Sequence, residues 1–150
     1  MKKIFLLLIS ASLLASCTDL DVTPTSFVTK ENFYNTDDDA IASVTSVYAS
    51  LSYDGTEQSL FGRNLYFLTD MGTDYAAAGA SAINQNVRAI SALSYDANTD
   101  RIQVAWRQIY SGINRANVAI DNIPKVQGTE ALKTRLINEA KFIRALLYFH

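Results

Sequence analysis

Cysteine is nearly missing from this chain. Cys17 stands alone, so no disulfide can form within the chain and an oxidising compartment adds nothing to its stability. Histidine is as scarce: His150 is the only one, which removes Ser–His and Cys–His nucleophilic pairs and the common zinc ligand sets. There is no Gly-x-Ser-x-Gly elbow, no metal-ligand spacing and no cofactor motif. The acids could supply a carboxylate pair for glycoside hydrolysis, but no spacing singles one out. Positive charge is not in excess either. With 13 Lys+Arg against 15 Asp+Glu, the chain has no electrostatic reason to seek nucleic acid. Proline occurs only at positions 24 and 124, so long stretches are free of helix breakers.

What is present begins with a leader. Lys2 and Lys3 precede an apolar stretch from Ile4 to Ala15, broken only by Ser10 and Ser12. A basic start, a short apolar core and small residues before a cut site make a signal peptide over residues 1–16. The stretch falls short of the roughly 20 apolar residues that span a bilayer. The run Leu14-Ala15-Ser16-Cys17 resembles a bacterial lipobox, in which the cysteine thiol is diacylated and its freed amine is acylated after cleavage. A secreted protein with one spare thiol is the alternative. The position of a single unpaired thiol at the cleavage site favours the anchor. Cleavage there removes Lys2 and Lys3 and moves the formal charge from −2 to about −4. Two or three acyl chains on one residue hold a protein stably on a membrane, where a single chain does not.

Residues 17–29 are polar, with Pro24 and several Thr and Ser, and read as a lipidated tether. A domain over 30–150 follows. Thr36 with Asp39 approximates a capping box, and Asp37 and Asp38 suit the positive end of the helix dipole. Three consecutive acids on a helix splay by about 200° and cannot converge on one ion, so the cluster is a cap and not a metal site. Ala40, Val44, Val47, Tyr48 and Leu51 share one helical face. Ser59–Met71 is mostly apolar and predicts a helix weakened by Gly62. Residues 72–98, rich in Ala, Gly, Ser, Asn and Thr, predict a long irregular loop of the kind that often carries function.

Two longer helices are predicted beyond it. The first runs from a Thr99 cap to Ile123 and is stopped by Pro124. Its apolar sector holds Ile102, Ala105, Trp106, Ile109, Tyr110, Ile113, Ala116, Ile120 and Ile123, with Asn117 inside it as a buried amide bonded to a neighbouring element. A short connector at 124–128 turns the next helix back antiparallel. That helix starts at Thr129 and Glu130. Leu132, Leu136, Ala140, Ile143 and Leu147 line one face, and Phe142, Ala145 and Phe149 line a second, as in a helix packed between neighbours. Arg135 and Glu139 make a structural pair. The pattern stays apolar through Phe149 without a stop signal, which suggests the start of something longer. The expected class is all-α, built from antiparallel helix pairs that only loosely match a tetratricopeptide repeat.

Four segments in this order resemble the N-terminal part of the SusD/RagB family of surface lipoproteins. They are the lipobox with Asp19-Leu20-Asp21-Val22-Thr23-Pro24, the helix Ala40–Leu51, the string Trp106–Asn117 and the string Asn138–Phe149. The resemblance implies an α-rich fold with tetratricopeptide-like pairs, of which this chain is an N-terminal part. It implies a lipid-anchored protein exposed on the outer membrane that binds oligosaccharide or another nutrient. It also implies a TonB-dependent SusC-like transporter as partner, with no cofactor and no catalysis. The stretch Thr69–Tyr75 is an approximate counterpart of an acidic string in that family. Asp74, Tyr75 and Arg88 are accordingly placed near a sugar surface: a tyrosine face suits a pyranose ring, and the charged pair suits hydroxyls. An ordinary solvated loop is the alternative for these three. For the whole chain, the other readings are a helical scaffold lipoprotein that binds only protein and a lipid-anchored hydrolase.

Overall fold

The computed structural model describes residues 33–51 and 59–150. The leader, Cys17 and the 17–29 tether lie outside these residues. Tyr34–His150 forms one compact unit, and it is helical, with no strand among the described residues. Helix α1 spans Asp37–Ala49, α2 Leu65–Thr69, α3 Gln85–Ser91, α4 Asp100–Asn122 and α5 Glu130–Phe149. The expected all-α class is observed.

Helix α1 starts at the capping box the sequence predicts. Thr36 Oγ1 accepts from the Asp39 amide at 3.3 Å. In return, Asp39 Oδ2 accepts from the amides of Thr36 at 2.8 Å and Asn35 at 3.1 Å and from the Thr36 hydroxyl at 2.8 Å. The Thr36 hydroxyl, then the Thr36 and Asn35 amides, hold the Asp39 carboxyl below the usual aspartate range against a small opposing desolvation. A lowered native pKa means that the cap's contribution is complete above the ordinary aspartate value and is lost as pH falls through the lowered one. Asp39→Asn is therefore expected to be less stable than the parent near neutrality, with the gap closing on acidification. Urea titrations at a series of pH values read this directly, and a gap independent of pH would contradict it.

The core is built from α1, α4 and α5. Ala40, Val44 and Val47 of α1 meet Ala105, Ile113, Ala116 and Ala119 of α4 and Leu136, Ala140, Ile143 and Leu147 of α5. Alanines at the contact faces let the helix axes approach closely. The helix directions follow from the cross-contacts. Arg144 meets Asn117, and Lys133 reaches the Pro124 carbonyl. Contacts that rise along α4 fall along α5, so the pair is antiparallel, as the short connector predicts. In the same way Arg115 donates to the Ser46 carbonyl while Gly112 faces Ser50, so α1 runs antiparallel to α4 and packs against both α4 and α5.

Several expectations need correcting. Ser59–Met71 does not form one regular helix: it opens with a π-turn over Leu60–Asn64 before α2. There the Ser59 carbonyl accepts from both Arg63 and Asn64, and a Cβ at Gly62 would overlap the Ser59 side chain. The 72–98 segment is not irregular throughout, because it contains α3. Thr99 and Thr129 occupy N-cap positions without a side-chain cap bond. Thr99 instead turns its hydroxyl back to accept from the Asp96 amide at 3.1 Å. The α4 sector is rotated from the expected one: Trp106, Tyr110 and, on α1, Tyr48 are exposed, while Arg101 and Gly112 are buried. Arg135 and Glu139 do pair, at 3.5 Å.

Candidate functional site

The 72–98 segment is held in place by a second, smaller core. Met71, Val87 and Ile90 are buried together, with Phe67, Leu68 and Ala78 against them. This explains why a helix forms in a segment of low apolar content. Asn84 accepts from the amides of Asn86 at 3.0 Å and Val87 at 3.1 Å, which caps the first turn of α3. Val87 and Ile90, three residues apart, then share the face turned to Met71. The Ser91 hydroxyl accepts from the Ala78 amide at 2.9 Å, tying the incoming strand of loop to the end of α3.

The helix stops in a Schellman motif. The Leu93 amide donates to the Ile90 carbonyl and the Ser94 amide to the Ala89 carbonyl. The residue in the left-handed conformation is Leu93, at φ 52°, where glycine is the usual choice. The cost is about 1–2 kcal/mol. Its side chain is nonetheless mostly exposed and lies over Gly72, where a Cβ would come within 3.0 Å of Leu93 Cδ2.

Asp74 and Tyr75 sit together in the turn that follows α2. Thr73 donates through its amide and its hydroxyl to the Asp70 carbonyl, and Thr73 Oγ1 accepts from the Tyr75 amide at 3.2 Å. Tyr75 is 86 % exposed, and Asp74 is exposed beside it. Arg88 is exposed on α3, opposite the buried Val87 and Ile90. The structure thus puts the three on one segment. No hydrogen bond or ion pair joins them. Ile83, Leu93 and Tyr95 add exposed apolar side chains to the same segment. Hydropathy patterns assign such residues to a core, so only the three-dimensional structure shows them facing solvent.

A buried charge lies at the base of α4. Arg101 Nη1 donates to Asn64 Oδ1 at 3.3 Å, and both residues are buried. The guanidinium lies 5.6 Å from the centre of the Phe67 ring, with the Asp100 carboxylate 3.9 Å away. An arginine in the first turn of a helix reads as solvated from sequence, so nothing in the pattern marks it. Its role is to fasten the π-turn and α2 to α4. Among the described residues no cluster of His, Cys, Asp or Glu could hold a metal ion. No helix among them is long and apolar enough to cross a membrane.

Comparison with known proteins adds a family to this geometry. Residues 20–150 match a SusD-like family whose description reads starch-binding, associating with outer membrane. The chain is 28 % identical over 137 residues to SusD-like protein P2 of Formosa agariphila, covering 91 % of this chain and 26 % of that protein. It is 29 % identical over 146 residues to SusD-like protein P38 of the same organism, covering 97 % and 27 %. A SusD-like protein of Bacteroides ovatus is 26 % identical over 153 aligned positions, covering 99 % and 26 %. The chain therefore spans about a quarter of the length of the curated relatives it matches. No solved structure matches at a significant level. With the family matched over nearly all of its length and the capped α-helical core in place, the chain belongs to the SusD/RagB family.

Proposed function

We propose that this chain is part of a cell-surface lipoprotein. It is held on the outer membrane through acyl chains on Cys17, captures oligosaccharide, and passes it to a TonB-dependent SusC-like transporter. The observation that carries this reading is the match of residues 20–150 to a family described as starch-binding and outer-membrane-associated. The leader and the lone cysteine support the anchor. Tyr75 offers a ring face, and Asp74 and Arg88 offer acceptors and donors to sugar hydroxyls.

The anchor and the binding surface are tested separately. Cys17→Ser should abolish incorporation of radiolabelled palmitate and release the mature protein from membranes, and full labelling of that variant would refute the anchor. In the full-length protein, Tyr75→Ala should weaken binding of a starch-derived oligosaccharide about tenfold, which at about 1.4 kcal/mol is one aromatic–ring contact. Calorimetry measures this, and unchanged affinity would remove Tyr75 from the site.

A further inference from the structure

The 72–98 segment is held far more lightly than the helices it precedes. Among the described residues its core buries Met71, Val87 and Ile90, whereas the main core draws whole faces from α1, α4 and α5. Leu68 of α2 borders both cores and marks the boundary between them. Helix α3 has seven residues, below the roughly 12–15 at which an isolated helix becomes even marginally stable. It therefore persists only while Val87 and Ile90 are held against Met71. One further bond, from the Ala78 amide to the Ser91 hydroxyl at 2.9 Å, closes the loop onto the end of α3. Against these stands Leu93. Its φ of 52° is a left-handed backbone that is costly for any residue with a Cβ, and its side chain, 66 % exposed, recovers little by burial.

Both ends of the segment are fastened to larger elements. Upstream, Thr73 is bonded twice to the Asp70 carbonyl, which ties the turn to α2. Downstream, the Asp96 amide donates to Thr99 Oγ1 at 3.1 Å and the Asn98 amide to Asp96 Oδ1 at 2.9 Å, which ties that turn to α4. Between the two, a Cβ at Gly79 would meet open space. Losing the contact of Val87 and Ile90 with Met71 removes the support for all of α3 at once, the behaviour of a small cooperative unit. We propose that residues 76–95 open as one hinged flap while the α1–α4–α5 core stays folded, with the left-handed Leu93 biasing the flap towards opening. Closed, the flap fixes Arg88 relative to Tyr75; open, it carries Arg88 away. The opening is a property of the protein without ligand and does not rest on sugar binding.

Native-state hydrogen exchange of the full-length protein without sugar tests this, under conditions in which the rate follows the open population. The amides of Arg88, Ala92 and Ser94, bonded to the Asn84, Arg88 and Ala89 carbonyls, report the flap, and those of Ala116 and Ala119 report the core. Corrected for intrinsic rates, the flap amides should exchange about a hundredfold faster than the core pair, or more. Leu93→Gly, which accepts the left-handed backbone, should slow them about fivefold. Ile143→Ala should speed the core pair about a hundredfold or more and leave the flap amides unchanged, because Ile143 is buried in the core that the open flap retains. Flap amides that accelerate with the core pair in Ile143→Ala would show that the segment opens only when the whole protein unfolds, which overturns the proposal. Flap amides that are not slowed in Leu93→Gly would overturn it as well, and that variant gives an answer even if Ile143→Ala does not fold.

Discussion

Ile143→Ala is expected to lower the unfolding free energy by about 3–4 kcal/mol, within the range for removing a buried aliphatic side chain and leaving its cavity. Ile143 sits among α1, α4 and α5 at 1 % exposure, and alanines on the facing surfaces give the site little freedom to collapse around the loss. Its neighbour Phe142 is the control. It is larger and equally apolar, yet 67 % exposed, so Phe142→Ala should change stability by no more than about 0.5 kcal/mol. Urea titration followed by far-ultraviolet circular dichroism measures both. Equal effects at the two positions would mean that the buried stripe of α5 has been assigned to the wrong side.

Gly112→Val is the second substitution with a large expected effect, a loss of about 3 kcal/mol. Gly112 is buried where the three core helices meet. An added Cβ would lie 2.6 Å from both Leu147 Cδ1 and Ser50 Oγ. Glycine costs about 1 kcal/mol relative to alanine inside a helix, so close approach is the reason to retain it there. Overpacking of this kind costs about 1–3 kcal/mol, and a β-branched side chain at the crossing sits at the upper end. The companion experiment is a double-mutant cycle. Gly112→Val with Leu147→Ala should lose less than the two single changes combined, because the smaller residue relieves the clash. Strict additivity would show that Gly112 and Leu147 do not share this contact.

The two positions also show where sequence is sufficient and where it is not. Ile143 is recognisable because Leu136, Ala140, Ile143 and Leu147 repeat with helical spacing, and the structure buries all four. The Thr36–Asp39 cap is equally readable, since it depends on two polar residues three positions apart. Asn117 reads as a buried amide bonded to a neighbouring element; Arg144 provides the partner, but the residue is only half-buried. Gly112 carries no such signal, because a glycine in a helical pattern gives no sign of what approaches it. Trp106 and Tyr110 share the apolar sector of α4 yet are exposed, because periodicity finds apolar stripes without saying which has a partner. Helix α3 is illegible in the sequence for the opposite reason. Its stability depends on Val87 and Ile90 meeting Met71, a contact across the chain that local composition does not announce. At the candidate site the types of Asp74, Tyr75 and Arg88 were legible. Their exposure, and the apolar company of Ile83 and Leu93, were not.

Capture of a sugar at the cell surface is the most direct measurement of the proposed role. A fluorescent starch-derived oligosaccharide is titrated onto intact cells making the full-length protein, beside cells lacking its gene. Saturable retention that unlabelled oligosaccharide displaces is the expected result, with weaker retention in Tyr75→Ala and none at the surface in Cys17→Ser. Equal retention with and without the gene would contradict a glycan-capturing lipoprotein.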